Sequence, residues 1–470
     1  MAITLKPQPA PIHALPYLPP ELHLRIIEII AECIPFSPTR EQAYNSTDLA
    51  TLCACSLVCK LWLNTARTRI WAGVQLSGRL RSMALIDLLE AYRFTCDSTT
   101  RCYGEDDGTD KARVHEKAIS LATLSIPSFA GRVMHLSVRE TRGNTWDPKW
   151  LNDALPYLAA HLEAVHSLEM ERVTWEHLSS HSRYTCLASF RRTKELALRG
   201  CSFHTTADLC GFLAEFDKLE VLTLDRVHCL TSDAPRWYLD TWIDGKKCIN
   251  PPSAALRVVG VRGAPMDTVL EWIMSGIEQR KGSGMGEAKI TSVKLGGVGI
   301  MEAEVVGRFL KEVGEGLSEL RVGFDQSFVE RGDAFIDHIN LERNSGLTEL
   351  HVFGLVVPSP PPPDPSAQGE DEVRTSLTQL TSLLSPIRSS MEVLSLAMYP
   401  ADIRAISTVD FDGMARVFEK QQWAGVEEVR VVISNRSECG LGRVVKQRLR
   451  RLDERGVLRV NVGFDEREVI

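Results

Sequence analysis

No run of about eighteen or more apolar residues occurs in the 470-residue chain, so no transmembrane helix and no membrane partner are expected. Met1 to Leu15 carries prolines but neither a continuous apolar stretch nor a basic flank, and it does not read as a secretory leader. Residues 1–14 are expected to be disordered. Twelve cysteines are present, yet no Cys-x-x-Cys pair is among them. The tightest group is Cys53, Cys55 and Cys59, and on a helix Cys53 and Cys55 would point about 200° apart. That argues against a zinc fold of the RING type, which needs ligands converging tetrahedrally. The thiols read instead as free, buried, small hydrophobes in a reducing compartment, cytoplasmic and/or nuclear. Catalytic signatures are missing too. There is no H-E-x-x-H and no G-x-S-x-G, and the twelve histidines lack metal-ligand spacing. Gly282-x-Gly284-x-Gly286 lies between a helix and a strand, the reverse of the order a nucleotide fingerprint requires. Gly296-Gly297-x-Gly299 follows a strand but has no Lys-Ser/Thr anchor. Neither enzyme activity, cofactor nor metal is expected. The formal net charge of −7 argues against a nucleic-acid partner, because such proteins are usually basic.

What the chain does contain is the composition of a globular protein, 44% hydrophobic and 24% charged. Its length suggests two or three domains unless a repeat supplies the bulk.

Near the start stands Leu18-Pro19-Pro20-Glu21-Leu22, continuing to Ile30. The proline pair suits a first helical turn, where a missing N–H costs nothing, and Glu21 faces the positive end of the helix dipole. At about 100° per residue, Leu22, Leu24, Ile26, Ile27, Ile29 and Ile30 cover an arc of roughly 220°, broken only by His23. A surface helix needs a stripe of only about 100° or a little more. The excess asks for a second protein. Asp48 then suits an N-cap for a helix carrying Leu49, Leu52 and Leu57. Ser56-Leu57-Val58-Cys59-Lys60-Leu61-Trp62 and Ile70-Trp71 follow, before Val74 and Leu76.

Over residues 15–76 this series resembles the F-box: LPxE-L…I..I, a second short helix, Val-Cys-basic-x-Trp, and a terminal Ile-Trp. The resemblance implies a three-helix unit that docks on the Skp-type adaptor of SCF ubiquitin ligases and, through it, on a cullin scaffold. It places Leu18, Pro19, Glu21, Leu22, Ile26, Ile27, Leu49, Val58, Cys59 and Trp62 on the adaptor-binding positions. Two features depart from the family. About sixteen residues, Ala31 to Ser46, separate the first two helices, and position 20 is a second proline.

Residues 77–130 read as a helical connector. Met83 to Phe94 is helical in pattern, Asp97 to Asp110 is a polar loop, and Lys111 to Leu124 is a further helix. From residue 131 to 470 a repeat takes over. Apolar-x-x-apolar-x-apolar segments recur, with central residues at Leu136, Leu168, Leu196, Leu222, Val259, Val293, Leu320, Leu350, Leu394, Val429 and Leu458. Their mean step of about 32 residues slightly exceeds the roughly 20–29 of leucine-rich repeats. Helices are expected between them at Met266–Gln279, Glu304–Gly314, Phe335–Asn344, Leu377–Ser389, Met414–Gln422 and Val444–Arg455. Gly316, Gly346, Gly425 and Gly456 are expected as left-handed helix caps. The region resembles the degenerate leucine-rich repeats that follow an F-box in many family members, which implies an α/β chain ending in a curved β/α solenoid. A doubly wound α/β sheet is the alternative, but it would need longer, continuously apolar strands.

Within a solenoid, residues between the apolar strand positions share the open face. The candidate partner-binding set is Glu195, Arg199, Asp225, Arg262, Lys294, Arg321, Glu349, His351, Glu428 and Arg430. With Glu169, Glu171, Glu319, Arg139 and Arg459 of the same strand faces added, seven acids stand against seven bases, which points to a protein substrate rather than a polyanion. The proline-rich stretch 357–372 is expected to loop out of the array, and Arg443 to Leu452 to be its last, basic helix. The function so implied is substrate recognition for an SCF-type ligase, supplying no reacting residue. A leucine-rich-repeat interaction scaffold with no part in ubiquitin transfer is the alternative.

Overall fold

A computed structural model of the protein describes residues 22, 25–29, 46–57, 60–101, 129–140, 149–231, 242–243, 246–247, 251–283, 289–359, 377–434 and 440–463. Its centre is a parallel sheet of 12 strands. They are β1 (Gly73–Ser77), β2 (His135–Arg139), β3 (Ser167–Glu171), β4 (Glu195–Arg199), β5 (Val221–Asp225) and β6 (Val258–Arg262). The second half comprises β7 (Ser292–Val298), β8 (Glu319–Phe324), β9 (Glu349–Val357), β10 (Val393–Pro400), β11 (Glu428–Ile433) and β12 (Leu458–Val462).

The order across the sheet is the order along the chain. A doubly wound sheet reverses direction at a switch point, and here there is none. Right-handed strand–helix–strand connections that always advance the same way put every helix on the same side. Burial follows that rule. In β2, Leu136 and Val138 are buried while His135, Ser137 and Arg139 are half-buried; β5 and β8 repeat the alternation over their first four residues, and β3 does so after its buried first residue, Ser167. The eleven central residues expected from the repeat stand in one register row from Leu136 to Leu458, with Val74 of β1 added at its start. Together with the helices they form one continuous apolar core. Helices Met266–Ser283, Ile300–Val313 and Ser327–His338 pack side by side in chain order.

Several expectations are corrected. The sheet starts at Gly73, inside the segment 15–76 assigned to the N-terminal unit. Helix Lys60–Ala72 runs straight into β1, and the Met134 amide donates to the Ala72 carbonyl at 3.0 Å. The helix expected over Met83 to Phe94 extends from Arg79 to Arg101, so the start of the expected loop at Asp97 is helical. The rest of that loop and the helix at 111–124 lie outside the described residues, as do residues 1–14.

The helix expected at Phe335–Asn344 is instead Ser327–His338. Asn340 Oδ1 accepts from the Glu342 amide at 2.8 Å, a local turn that replaces helical bonding. Asn344 Nδ2 donates to the Leu310 and Gly314 carbonyls at 2.9 and 3.0 Å, closing the end of the neighbouring helix. The other helices are Ile300–Val313, Thr378–Leu384 and Phe411–Phe418, and the last basic one divides at Leu449 into Leu441–Arg448 and Arg450–Glu454. The Lys149–His161, Ser180–Phe190 and Thr206–Ala214 helices add to those expected.

Of the four glycines expected as left-handed caps only Gly456 is one, with φ 74°. Gly346 is required for a different reason: a Cβ there would meet the Glu315 carbonyl oxygen at 2.2 Å. β9 continues through Val357, and 360–372 of the proline-rich stretch lies outside the described residues.

Candidate functional site

All ten residues of the expected partner-binding set project from the sheet face opposite the buried leucine and valine row, on β4 to β9 and β11. Side chains on a strand alternate between faces, so a five-residue strand offers three positions to this open side. The register arranges them in rows, and the two halves of the sheet use their charges differently.

In the first half one row reads Arg139, Glu171, Arg199, Asp225, Arg262 across β2 to β6, strictly alternating in sign. Opposite charges on neighbouring strands support the pairing. Arg139 Nε lies 3.2 Å from Glu171 Oε2, Arg199 Nε 2.9 Å from Glu169 Oε1, and Arg226 Nη2 3.1 Å from Asp225 Oδ2. Burial pushes the Glu169 carboxyl up, against the pull of Arg199. These pairs offset much of the charge of this half.

In the second half the signs separate. The row Lys294, Arg321, His351, Ser395, Arg430, Arg459 crosses β7 to β12, and beside it runs a row holding Ser292, Glu319, Glu349, Val393 and Glu428. Arg321 Nε donates to Glu319 Oε1 at 2.6 Å. Arg430 donates to both oxygens of Glu428 at 3.0 and 3.1 Å. Burial pushes the Glu319 carboxyl up, but the Ser292 hydroxyl and Arg321 outweigh it and hold the group below its ordinary range. Burial, helped by Arg321, lowers the His351 imidazole to about 4, so it is neutral at pH 7. Its Nε2 is buried without a hydrogen-bond partner, 3.7 Å from Glu349 Oε2. Burial likewise pushes the Lys294 ammonium down, helped by Arg321.

Glu319, Glu349 and His351 bring three possible metal-ligand atoms within 4.8 Å of one another. The chemistry of the set does not favour a cation. Glu319 already spends one oxygen on Arg321 and the other on the Ser292 hydroxyl, at 2.6 Å each. Lys294, Arg321 and Arg430 add positive charge around His351. The group is a salt-linked network.

The third row of this half is apolar or glycine as far as Val432 and ends on Asn461 of β12. Phe353, Ala397 and Val432 form a small buried cluster with Tyr399 against it. The Phe353 ring lies over Gly323, where a Cβ would approach it to 2.0 Å. These residues were missing from the expected set, although the sequence signals them. Val352-Phe353, Leu396-Ala397-Met398 and Val431-Val432-Ile433 are consecutive apolar runs, and such runs mean burial on both faces of a strand.

Gly296-Gly297-x-Gly299 places Gly297 at φ 72° and Gly299 at the start of helix Ile300–Val313. The Gly299 amide donates to Glu302 Oε2 at 3.0 Å, and a Cβ at Gly299 would meet Glu302 and Asp325 oxygens. The helix start that could cradle a phosphate is taken by the chain's own carboxylate.

Among the expected adaptor-binding residues, Leu22 and Ile26 are helical and exposed at 51% and 37%, as is Ile29 at 49%. Ile27 is fully buried and therefore builds the helix's inner side rather than the surface. Leu49 lies on helix Ser46–Cys55, and Trp62 is half-buried on Lys60–Ala72. Leu18, Pro19, Glu21, Val58 and Cys59 lie outside the described residues. Cys53 is exposed and Cys55 buried, in keeping with their opposite directions on one helix. The Cys186, Cys201 and Cys210 thiols are pushed up to about 12 by burial. They are packing groups without thiolate character at neutral pH.

No protein-family model and no curated protein matches the chain.

Proposed function

We propose that the protein is a substrate receptor of an SCF-type ubiquitin ligase. Its N-terminal F-box-like unit docks on a Skp-type adaptor, and its strand–helix array is a leucine-rich-repeat-like solenoid whose open face holds the protein substrate. The observation that carries this reading is the division of the first helix into an inner side, Ile27, and an exposed apolar side, Leu22, Ile26 and Ile29. Three adjacent large aliphatic side chains open to water are costly unless a partner covers them. The passage from helix Lys60–Ala72 into β1 without a linker supports the same reading. So does the Arg132 guanidinium donating to the Thr68 hydroxyl. A substrate on the sheet would sit at a fixed distance from the adaptor, and presentation of that kind accelerates transfer by proximity alone.

The test is co-expression of the full chain with a Skp-type adaptor and co-purification. Wild type is expected to bring the adaptor down at equal stoichiometry. Leu22→Asp and Ile26→Asp should lose it while keeping the wild-type melting temperature, since exposed substitutions shift stability by only about 0.5 kcal/mol. A folded Leu22→Asp chain that still binds the adaptor refutes the docking assignment. Failure of wild type to bind it leaves an interaction scaffold without a role in ubiquitin transfer.

A further inference from the structure

We propose that the second half of the open face, β7 to β12, receives an acidic segment of the partner protein. Carboxylates of that segment lie along the row Lys294, Arg321, His351, Arg430 and Arg459. The inference rests on the open face being the partner-binding surface and names the chemistry of what binds there.

Three observations carry it. The first is segregation. The same register row holds Ser137, Glu169, Ala197, Thr223 and Gly260 in the first half, with no basic residue, and five basic or imidazole groups in the second. The second is preorganisation. Glu319 and Glu428 hold the Arg321 and Arg430 guanidiniums back along their own strands, so two long side chains are already ordered. Binding to ordered groups costs less side-chain entropy.

The third is incomplete satisfaction within the row. Lys294 is half-buried and has no ion pair within 4.0 Å among the described residues. The His351 Nε2 is buried with no hydrogen-bond partner. A desolvated amine and an orphan imidazole nitrogen are both completed by an oxyanion, and an unpartnered buried polar group is expensive to keep. The opposite ligand, a basic segment, finds less. Glu319 and Glu428 are engaged, and Glu349, at 45% exposure, is the one acid of the adjoining row without a closer partner than His351. Strands about 4.8 Å apart make the row from Lys294 to Arg459 about 24 Å long, the reach of roughly seven extended residues.

The His351 imidazole is faced by Glu349 on its own strand, Glu319 and Arg321 from β8, Lys294 from β7 and Arg430 from β11. A carboxylate arriving there favours the imidazolium, so binding takes up a proton and strengthens as the pH falls towards the unliganded imidazole's value of about 4.

The test uses the full chain and a fluorescent decaglutamate peptide, with decalysine and glycine–serine peptides of equal length, read by anisotropy. Decaglutamate is expected to bind, to weaken as salt rises from about 0.05 M to about 0.3 M, and to tighten as the pH is lowered from neutral. Lys294→Met and His351→Gln should each weaken it about fivefold or more, the equivalent of about 1 kcal/mol per contact. Arg416→Gln, on the helix side, should leave it unchanged. No decaglutamate binding, stronger decalysine binding, or equal losses from Lys294→Met and Arg416→Gln overturns the proposal. Adaptor co-purification with the same variants reads the other end of the molecule, so loss of the peptide with the adaptor retained separates failure here from failure of the receptor reading.

Discussion

Gly323 decides how the apolar row of the open face is built, and replacing it gives an effect whose sign depends on one neighbour. Its φ is not positive, so alanine is compatible with the backbone. At such a site Gly→Ala normally stabilises by about 0.4–1 kcal/mol, by restricting the unfolded chain. Here the new Cβ would stand 2.0, 2.4 and 2.6 Å from three Phe353 ring atoms. Carbon atoms rest at about 3.5–4 Å, so the ring must retreat by about 1.5–2 Å from its place beside Ala397 and Val432. Overpacking of that size costs about 1–3 kcal/mol. Net destabilisation for Gly323→Ala therefore lies between about 0 and 2.6 kcal/mol. In a Phe353→Ala background the obstruction is gone, and the same substitution should be neutral or stabilising by up to about 1 kcal/mol. The four chains form a double-mutant cycle with a coupling of about 1–3 kcal/mol. Urea midpoints at unchanged slope measure it. Equal destabilisation by Gly323→Ala in both backgrounds would show that the ring does not rest on the glycine.

His351 is 12% exposed, and its imidazole is held at about 4 in the folded chain by burial first and Arg321 second. An unfolded imidazole titrates near 6.5. The unfolded state thus takes up the proton first, and stability present above about pH 6.5 is lost as the pH falls towards about 4. The loss is at most roughly 3 kcal/mol. Urea midpoints of wild type and His351→Gln across that window should converge towards low pH, and parallel curves would remove the buried-neutral assignment. Asn344→Ala deletes both Nδ2 bonds to the Leu310 and Gly314 carbonyls. It should cost about 1–3 kcal/mol in the same assay. Asn340→Ala, which removes one exposed local turn bond, should cost less.

Much of the architecture was legible because each strand carries two apolar residues two positions apart that turn to the helix side. All eleven repeat segments from Leu136 to Leu458 are strands of the one sheet. The twelfth, Val74 to Leu76, was hidden by its position directly after the Ile70-Trp71 pair, where a family resemblance claimed it. Helix boundaries were less legible for a different reason. Phe335 to Asn344 has helical apolar spacing, but Asn340 and Asn344 use their side chains on backbone groups, and such bonds outweigh periodicity. Gly346 was read as a conformational device when it is a steric one, because the approach of Glu315 comes from a residue 31 positions earlier and leaves no local trace.

The same distinction governs the open face. Which residues point there follows from alternation and was readable one strand at a time. What they do together depends on register, which is a relation between strands. The acids and bases counted equal in the sequence, and equality pointed to a protein partner rather than a polyanion. Register shows them arranged in two ways: alternating in sign along the row from Arg139 to Arg262 in β2 to β6, and in separate rows across β7 to β12. The second arrangement leaves Lys294 and the His351 Nε2 unanswered within one row, so an acidic ligand gains most there. Selectivity on such a surface comes from where compensation fails, and a charge count taken over the whole chain cannot show that place.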